Sequence, residues 1–101
     1  MHGDVYKIKP SVLSDSPEIT LFPGNKVIAE NNPVTVRCEA KGYPPPTIKW
    51  VKLLGNKKVG EGTSLLIQSV QRSDRGRYRC IATNGVGHDA DAEFDINVYC
   101  E

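Results

Sequence analysis

Three cysteines are the most chemically versatile side chains in this sequence of 101 residues: Cys38, Cys80 and Cys100. A thiol can form a disulfide, bind a metal or act as a nucleophile. Because the number is odd, at most one bridge can form within the chain, and one thiol is left over. The sequence has no Cys-x-x-Cys pair, and its two histidines, His2 and His88, lie far apart. We therefore expect no metal site.

Catalytic groups are equally hard to assemble from this sequence. A nucleophilic serine or cysteine needs a histidine held beside it, and nothing orients either histidine. Three acidic residues alternate on the solvent side of a predicted strand, where hydration is the default state. They are Asp91, Glu93 and Asp95. The glycines at 85 and 87 connect two predicted strands, and no helix follows them to receive a phosphate. The sequence predicts neither an enzyme nor a cofactor.

The length and charge of the chain narrow the class of protein further. A chain of 101 residues is enough for one compact domain and too short for two. Thirteen basic and twelve acidic residues leave a formal charge of +1, which gives no general attraction to nucleic acid. No apolar run approaches the roughly 20 residues of a membrane span.

Alternation of apolar and polar residues predicts strands along most of the chain. The clearest runs are 34–40, 47–52, 77–83 and 90–98, and glycines and prolines separate them. Asn84 and Gly85 predict a two-residue hairpin turn between the last two runs. No segment keeps a helical period over three turns. Short strands at this spacing indicate an antiparallel sandwich or barrel.

Three inward positions distinguish between a sandwich and a barrel. Cys38, Trp50 and Cys80 fall on the apolar faces of three different predicted strands. Two such cysteines can bridge two packed sheets across the indole ring. This constellation resembles the immunoglobulin superfamily. The Asp-x-Gly-x-Tyr-x-Cys pattern of the family is also present, as Asp74, Gly76, Tyr78 and Cys80.

The resemblance implies a fold and a role for each of these residues. The fold is an all-β, two-sheet antiparallel immunoglobulin-like sandwich with Greek-key topology, of the intermediate set. Cys38 and Cys80 would form its disulfide, with Trp50 and Leu65 in the core, so that Cys100 is the spare thiol. A buried Tyr78 hydroxyl would return to the backbone at a turn capped by Asp74. These roles are structural.

The resemblance covers about residues 17–99, which we expect to form the domain. Residues 1–16 are expected to be an N-terminal leader or an inter-domain linker, and residues 100–101 the start of a C-terminal linker. The stretch between Trp50 and Leu65 is short and contains three glycines, at 55, 60 and 62. It predicts that the family's C′ and D strands are short or missing.

The solvent side of the strands around Trp50, Cys80 and Phe94, called C, F and G in the family, is a candidate protein-binding face. Parity places five residues there: Lys49, Val51, Arg77, Arg79 and Ile81. One interpretation is a solvated face on which acidic and basic side chains neutralise each other. The other is a docking face with Val51 and Ile81 as an apolar centre within a charged rim. Members of the family often bind proteins through this face, including copies of themselves.

Basic residues are concentrated in the middle of the chain, which has two interpretations: a site for heparin-like polyanions, or ordinary surface charge. The residues are Lys49, Lys52, Lys57, Lys58, Arg72, Arg75, Arg77 and Arg79.

The resemblance implies a non-catalytic recognition module of an extracellular adhesion molecule or receptor ectodomain. Its parent chain would be anchored in a membrane, and its partner would be a protein, either a second copy or a different one. The alternative is a structural spacer in an intracellular muscle or cytoskeletal filament, where the core cysteines stay reduced. No Asn-x-Ser/Thr sequon is present to favour the extracellular class.

Overall fold

The computed structural model describes residues 14–100. Within this range the chain forms nine strands and a single-turn 3₁₀ helix at Arg72–Asp74. The strands are β1 (Asp15–Leu21), β2 (Lys26–Ala29), β3 (Val34–Arg37), β4 (Glu39–Tyr43), β5 (Thr47–Lys52), β6 (Lys57–Glu61), β7 (Ser64–Ile67), β8 (Gly76–Thr83) and β9 (Ala90–Tyr99).

The strands form two layers. One layer is a five-stranded sheet in the order β2-β9-β8-β5-β6. The other consists of the pairs β1-β4 and β3-β7, in which β3 and β4 are consecutive stretches separated only by Cys38. Apolar residues alternate along these strands, so each layer has one side that excludes water against the other. The predicted all-β, two-sheet sandwich is confirmed.

The sheet edges add two details to the prediction. The β2 and β9 strands run parallel, whereas the other pairs are antiparallel. The chain crosses between layers at Pro23 and Gly24 and then runs beside the last strand in the same direction. The predicted C′ strand is β6, of five residues. Only two residues lie between β6 and β7, so the described chain has no D strand.

Aromatic rings and the disulfide fill the space between the layers. Trp50 and Phe94 meet edge to face with ring centroids 5.7 Å apart, and Tyr78 stacks on Phe94 at 5.6 Å. The Cys38–Cys80 disulfide, predicted through the family resemblance, joins the two layers beside these rings. The Trp50 indole N–H donates to the Gly62 carbonyl at 2.8 Å, which satisfies the polar atom of this buried ring.

Two predicted boundaries differ from the structure. The β1 strand begins at Asp15, so the last two residues assigned to the N-terminal linker belong to a strand. The predicted two-residue turn at Asn84 is wrong, because residues 84–89 separate β8 from β9. Positive φ angles occur at Gly85 (78°) and Gly87 (63°) but not at Asn84, whose side chain instead bonds to Asp15 and Pro44.

Candidate binding surface

Tyr78 closes the turn before β8. Its hydroxyl donates to the Asp74 carbonyl at 2.6 Å, and the Asp74 carboxylate accepts from the Gln71 N–H at 2.8 Å. Burial, with a smaller contribution from the negative charge of Asp74, raises the pKa of Tyr78 to about 12. Gly76 opens β8 at a φ of 141°, which side chains rarely adopt. This turn positions β8 within the sheet and presents no reactive group.

The outer face of β5, β8 and β9 is the side turned away from the core, and its β8–β9 half is an ion-pair network. Arg77 lies 3.1 Å from Glu93 and 3.2 Å from Asp95. Arg79 also binds Glu93, with its Nε 3.1 Å from the carboxylate. Hydrogen bonds from Arg79 and then Arg77 lower the pKa of Glu93. Both arginines are therefore neutralised within the domain.

Val51 does not belong to an exposed apolar centre, so this part of the predicted binding face is wrong. Its side chain points outward, but the residue is only 6% exposed. The strand register explains the burial. Val51 lies between Lys58 on β6 and Arg79 on β8, and these long side chains share its face. Their aliphatic stems shield a short side chain placed between them.

The β5 side of the outer face differs from the ion-pair network. Lys49 is exposed, and no ion pair reaches it from residues 14–100. Ile81 is its cross-strand neighbour on β8 and is half-buried. A shallow concavity begins beside them. It is lined by Pro46, Thr47, Ile48, Lys49, Lys58, Glu61, Gly62, Thr63, Thr83 and Asp89. Of the predicted binding residues, Lys49 and Ile81 remain available to a partner.

The basic residues do not form one uncompensated patch. Besides the two arginines in the ion-pair network, Lys58 is paired with Glu61, and Arg72 lies 3.6 Å from Glu30. Lys52 donates to the Ser73 carbonyl and lies over the Tyr78 ring. Four members have no ion pair within the described range. Lys52 and Lys57 are cross-strand neighbours, whereas Lys49 lies opposite Glu61 and Arg75 lies just before β8. This arrangement favours ordinary surface charge over a polyanion site.

Asn84 has a structural role that differs from its predicted place in a two-residue hairpin turn. Its amide nitrogen donates to the carbonyls of Asp15, at 2.7 Å, and Pro44, at 2.9 Å. Its amide oxygen accepts from the Val86 N–H at 3.0 Å. One side chain thus joins the start of β1, the β4–β5 loop and its own loop. The Asn-Gly pattern predicts only a local turn. The observed partners are 69 and 40 positions away in sequence, so the pattern does not reveal them.

The remaining reactive side chains do not converge. Cys100 is exposed, and its hydrogen bond to Arg72 is the largest cause that raises the pKa of that guanidinium. His88 is exposed in the loop after β8, and His2 lies outside the described residues. Residues 14–100 contain no group of three side chains able to hold a metal ion. In the same part of the chain, no helix is long and apolar enough to cross a membrane.

Sequence comparisons agree with this geometry. The family model described as "Immunoglobulin domain" matches residues 16–84. Hemicentin-2 of Mus musculus is 44% identical over 78 residues, which cover 70% of this chain and 2% of that protein. Roundabout homolog 3 of Homo sapiens is 37% identical over 90 residues, 84% of this chain and 6% of that protein. The chain thus spans only a small part of these relatives.

Solved structures show the same architecture. A titin M10–obscurin-like 1 immunoglobulin complex matches with a TM-score of 0.79 at 22% identity, over 87% of this chain and 97% of that one. Sidekick-1 immunoglobulin domains 1–5 match with a TM-score of 0.78 at 25% identity, over 87% and 20%.

The family matches, the sequence motif and the observed positions of the motif residues agree. The disulfide, the tryptophan beside it and the tyrosine at the turn before β8 lie where the motif predicted them, and the domain is a non-catalytic module. Its relatives include a cell adhesion molecule and a basement-membrane proteoglycan core protein. This chain belongs to the immunoglobulin domain family.

Proposed function

We propose that this chain is a protein-recognition module of an extracellular adhesion molecule or receptor ectodomain whose parent chain is anchored in a membrane. The observation that carries the proposal is the Cys38–Cys80 disulfide in the core. Disulfides persist in oxidising compartments and are rare in the cytosol. The extracellular relatives support the same assignment.

The β5 side of the outer face is the proposed contact surface. The β8–β9 half holds its arginines in ion pairs, and a partner would have to displace these before using them. Lys49 requires no such exchange, and the half-buried Ile81 beside it supplies apolar contact. A small apolar centre with a polar rim is the usual anatomy of a protein interface.

Binding of the chain to an array of recombinant immunoglobulin ectodomains, itself included, tests the proposal. Ile81→Asp places a charge at the centre of the proposed surface, so we expect binding to be weakened at least about tenfold. The matched control is Leu66→Asp. Leu66 is 55% exposed on β7, in the opposite layer, and its substitution should leave binding unchanged.

Two results would contradict the proposal. One is an array on which the chain binds no ectodomain above background. The other is a specific interaction with a different ectodomain that survives Ile81→Asp with its affinity unchanged. Thermal unfolding of both variants must accompany the measurement, so that loss of binding is not confused with loss of fold.

The filament-spacer alternative is supported by solved titin domains. A chimeric titin Z1Z2 is 26% identical to this chain, whereas the titin M10 complex, at 22%, shows the fold alone. A spacer would keep Cys38 and Cys80 reduced, which makes the redox state of these two residues the property that separates the two functions.

A further inference from the structure

The two edges of the five-stranded sheet differ in their protection against pairing with another strand. At one edge, β6 carries Lys57 and Lys58, and lysines on an edge strand discourage a further strand. At the other edge, β2 has the sequence Lys-Val-Ile-Ala, with no proline and one charge. Its Val27 is 69% exposed. Within residues 14–100, the β2 edge is therefore open.

The backbone of β2 has hydrogen-bonding groups directed away from the sheet. The Glu30 N–H donates to the Tyr99 carbonyl at 2.7 Å. This bond shows which residues of β2 direct their backbone groups towards β9. Even-numbered residues of β2 thus bond to β9, and the N–H groups of Val27 and Ala29 point outward. The Ala29 carbonyl accepts from Asn32 at 3.2 Å. The Ala29 N–H and the Val27 carbonyl have no partner in the described chain.

The residues from Lys26 to Glu30 form a self-complementary pattern: a cation, three apolar residues and an anion. We propose that β2 is a self-association edge, at which a second copy of this chain adds its own β2 antiparallel about a two-fold axis at Ile28. In this register Lys26 faces Glu30 of the second copy, and the reciprocal pair forms on the other side of the axis.

This register also matches the outward backbone groups. Val27 lies opposite Ala29 of the second copy, so the Ala29 N–H of each chain donates to the Val27 carbonyl of the other. The exposed side chain of Val27 becomes covered. Glu30 makes a long ion pair with Arg72, at 3.6 Å, which Lys26 of the second copy would share.

The other edges lack one of these properties. Strand β1 contains Pro17 and Glu18, which disfavour a further strand. Strand β7 has no charged residue to set a register. Among the edge strands of residues 14–100, only β2 combines outward backbone groups with charges that complement a second copy. This surface is separate from the β5 side of the outer face and goes beyond the proposed function.

Sedimentation velocity over a range of protein concentrations tests the proposal. A Cys100→Ser background excludes dimers that a disulfide between chains would form. We expect reversible association to a species of twice the 11.1 kDa monomer mass. Lys26→Glu and Glu30→Lys each create two repulsive pairs and should each weaken association by about tenfold. An equimolar mixture of the two variants should restore it, because opposite charges then meet in both pairs.

Lys57→Glu on β6 is the control for a general charge effect and should leave association unchanged. Three results would overturn the proposal: a monomer at about 1 mM, single variants that associate as strongly as the parent, or a mixture that associates no better than either variant. An unfolding midpoint for each variant excludes misfolding as the cause. Binding to other ectodomains should survive Lys26→Glu, so this test and that of the proposed function fail separately.

Discussion

The two sides of β5, β8 and β9 use neighbouring residues for opposite purposes. On the inner side, Cys80 and Trp50 are fully buried, and the contacts are apolar or covalent. On the outer side, Arg79 and Ile81 flank the same cysteine and remain partly exposed. A one-residue step along a strand therefore changes the environment from dry core to hydrated surface.

This difference means that stability and recognition can be altered independently. Burial and the disulfide contribute most where the inner residues lie, whereas exposed ion pairs contribute little and are screened by salt. Substitutions on the inner side should therefore lower the free energy of unfolding. Those on the outer side should change binding, with a small effect on stability.

The largest effect is expected from removing the disulfide with Cys38→Ala and Cys80→Ala together. The bridge closes a loop with a sequence separation of 42, so its loss should reduce the free energy of unfolding by about 4 kcal/mol in the chain-entropy model. Urea denaturation measures the change. Cys100→Ser is the matched control and should leave the midpoint in place. An equal effect of both replacements would remove the contrast between the two sides.

Tyr78→Phe should have the next largest effect, about 1 to 2 kcal/mol, because the Asp74 carbonyl loses its buried donor. Tyr99→Phe is the control, since Tyr99 is 48% exposed. An unchanged midpoint for the Tyr78 variant would refute the role assigned to the turn.

A pH series sharpens this second test. The pKa of Tyr78 is raised from 10.0 in the unfolded chain to about 12 in the folded one. Its stabilising contribution is thus fully present below pH 10 and is lost as the pH rises towards 12. Stability between these values should fall more steeply for the parent than for Tyr78→Phe, measured by urea denaturation at each pH. Parallel curves would contradict the burial of this hydroxyl.

Ile81→Asp should change stability by less than about 1 kcal/mol, because the side chain is only half-buried on an outer face. Its large effect should be on binding. Comparison with Tyr78→Phe in one denaturation series makes the contrast quantitative. If Ile81→Asp destabilises the domain more than Tyr78→Phe does, Ile81 belongs to the packed structure and the two sides are not independent.

Glu93→Gln should give the smallest effect, a slight fall in the unfolding midpoint. This fall should disappear in 1 M salt, because charges there are screened over about 3 Å. Because Arg79 and Arg77 lower the pKa of Glu93, its contribution is present above the unfolded pKa. It is lost as the pH falls through the folded value. A salt-independent effect would show that the ion-pair network contributes more than a hydrated pair should.

The inner side was predictable because its signals are local or belong to a family motif. Alternation places Cys38, Trp50 and Tyr78 on buried faces, and the motif pairs the cysteines. Asn84 was assigned wrongly for the opposite reason. Its side chain bonds to a strand end and a loop that adjoin it only after the sandwich forms, and no pattern in the neighbouring residues reports that contact.

Strand parity predicted which side chains point towards the outer face, but it did not predict how exposed they are. Strand parity correctly turned Val51 outward, yet accessibility depends on which side chains the neighbouring strands bring alongside. The register that places Lys58 and Arg79 beside Val51 depends on a bulge between β5 and β6 at this position. A one-residue irregularity of this kind leaves no clear mark in the sequence.

The redox state of Cys38 and Cys80 tests the central claim, that this domain works in an oxidising, extracellular compartment. The measurement is peptide mass mapping of the unreduced chain, isolated from its native compartment and alkylated while folded. We expect a linked pair of peptides containing Cys38 and Cys80, with alkylation at Cys100 alone. Alkylation of Cys38 or Cys80, with no linked pair, would contradict it and favour the filament spacer.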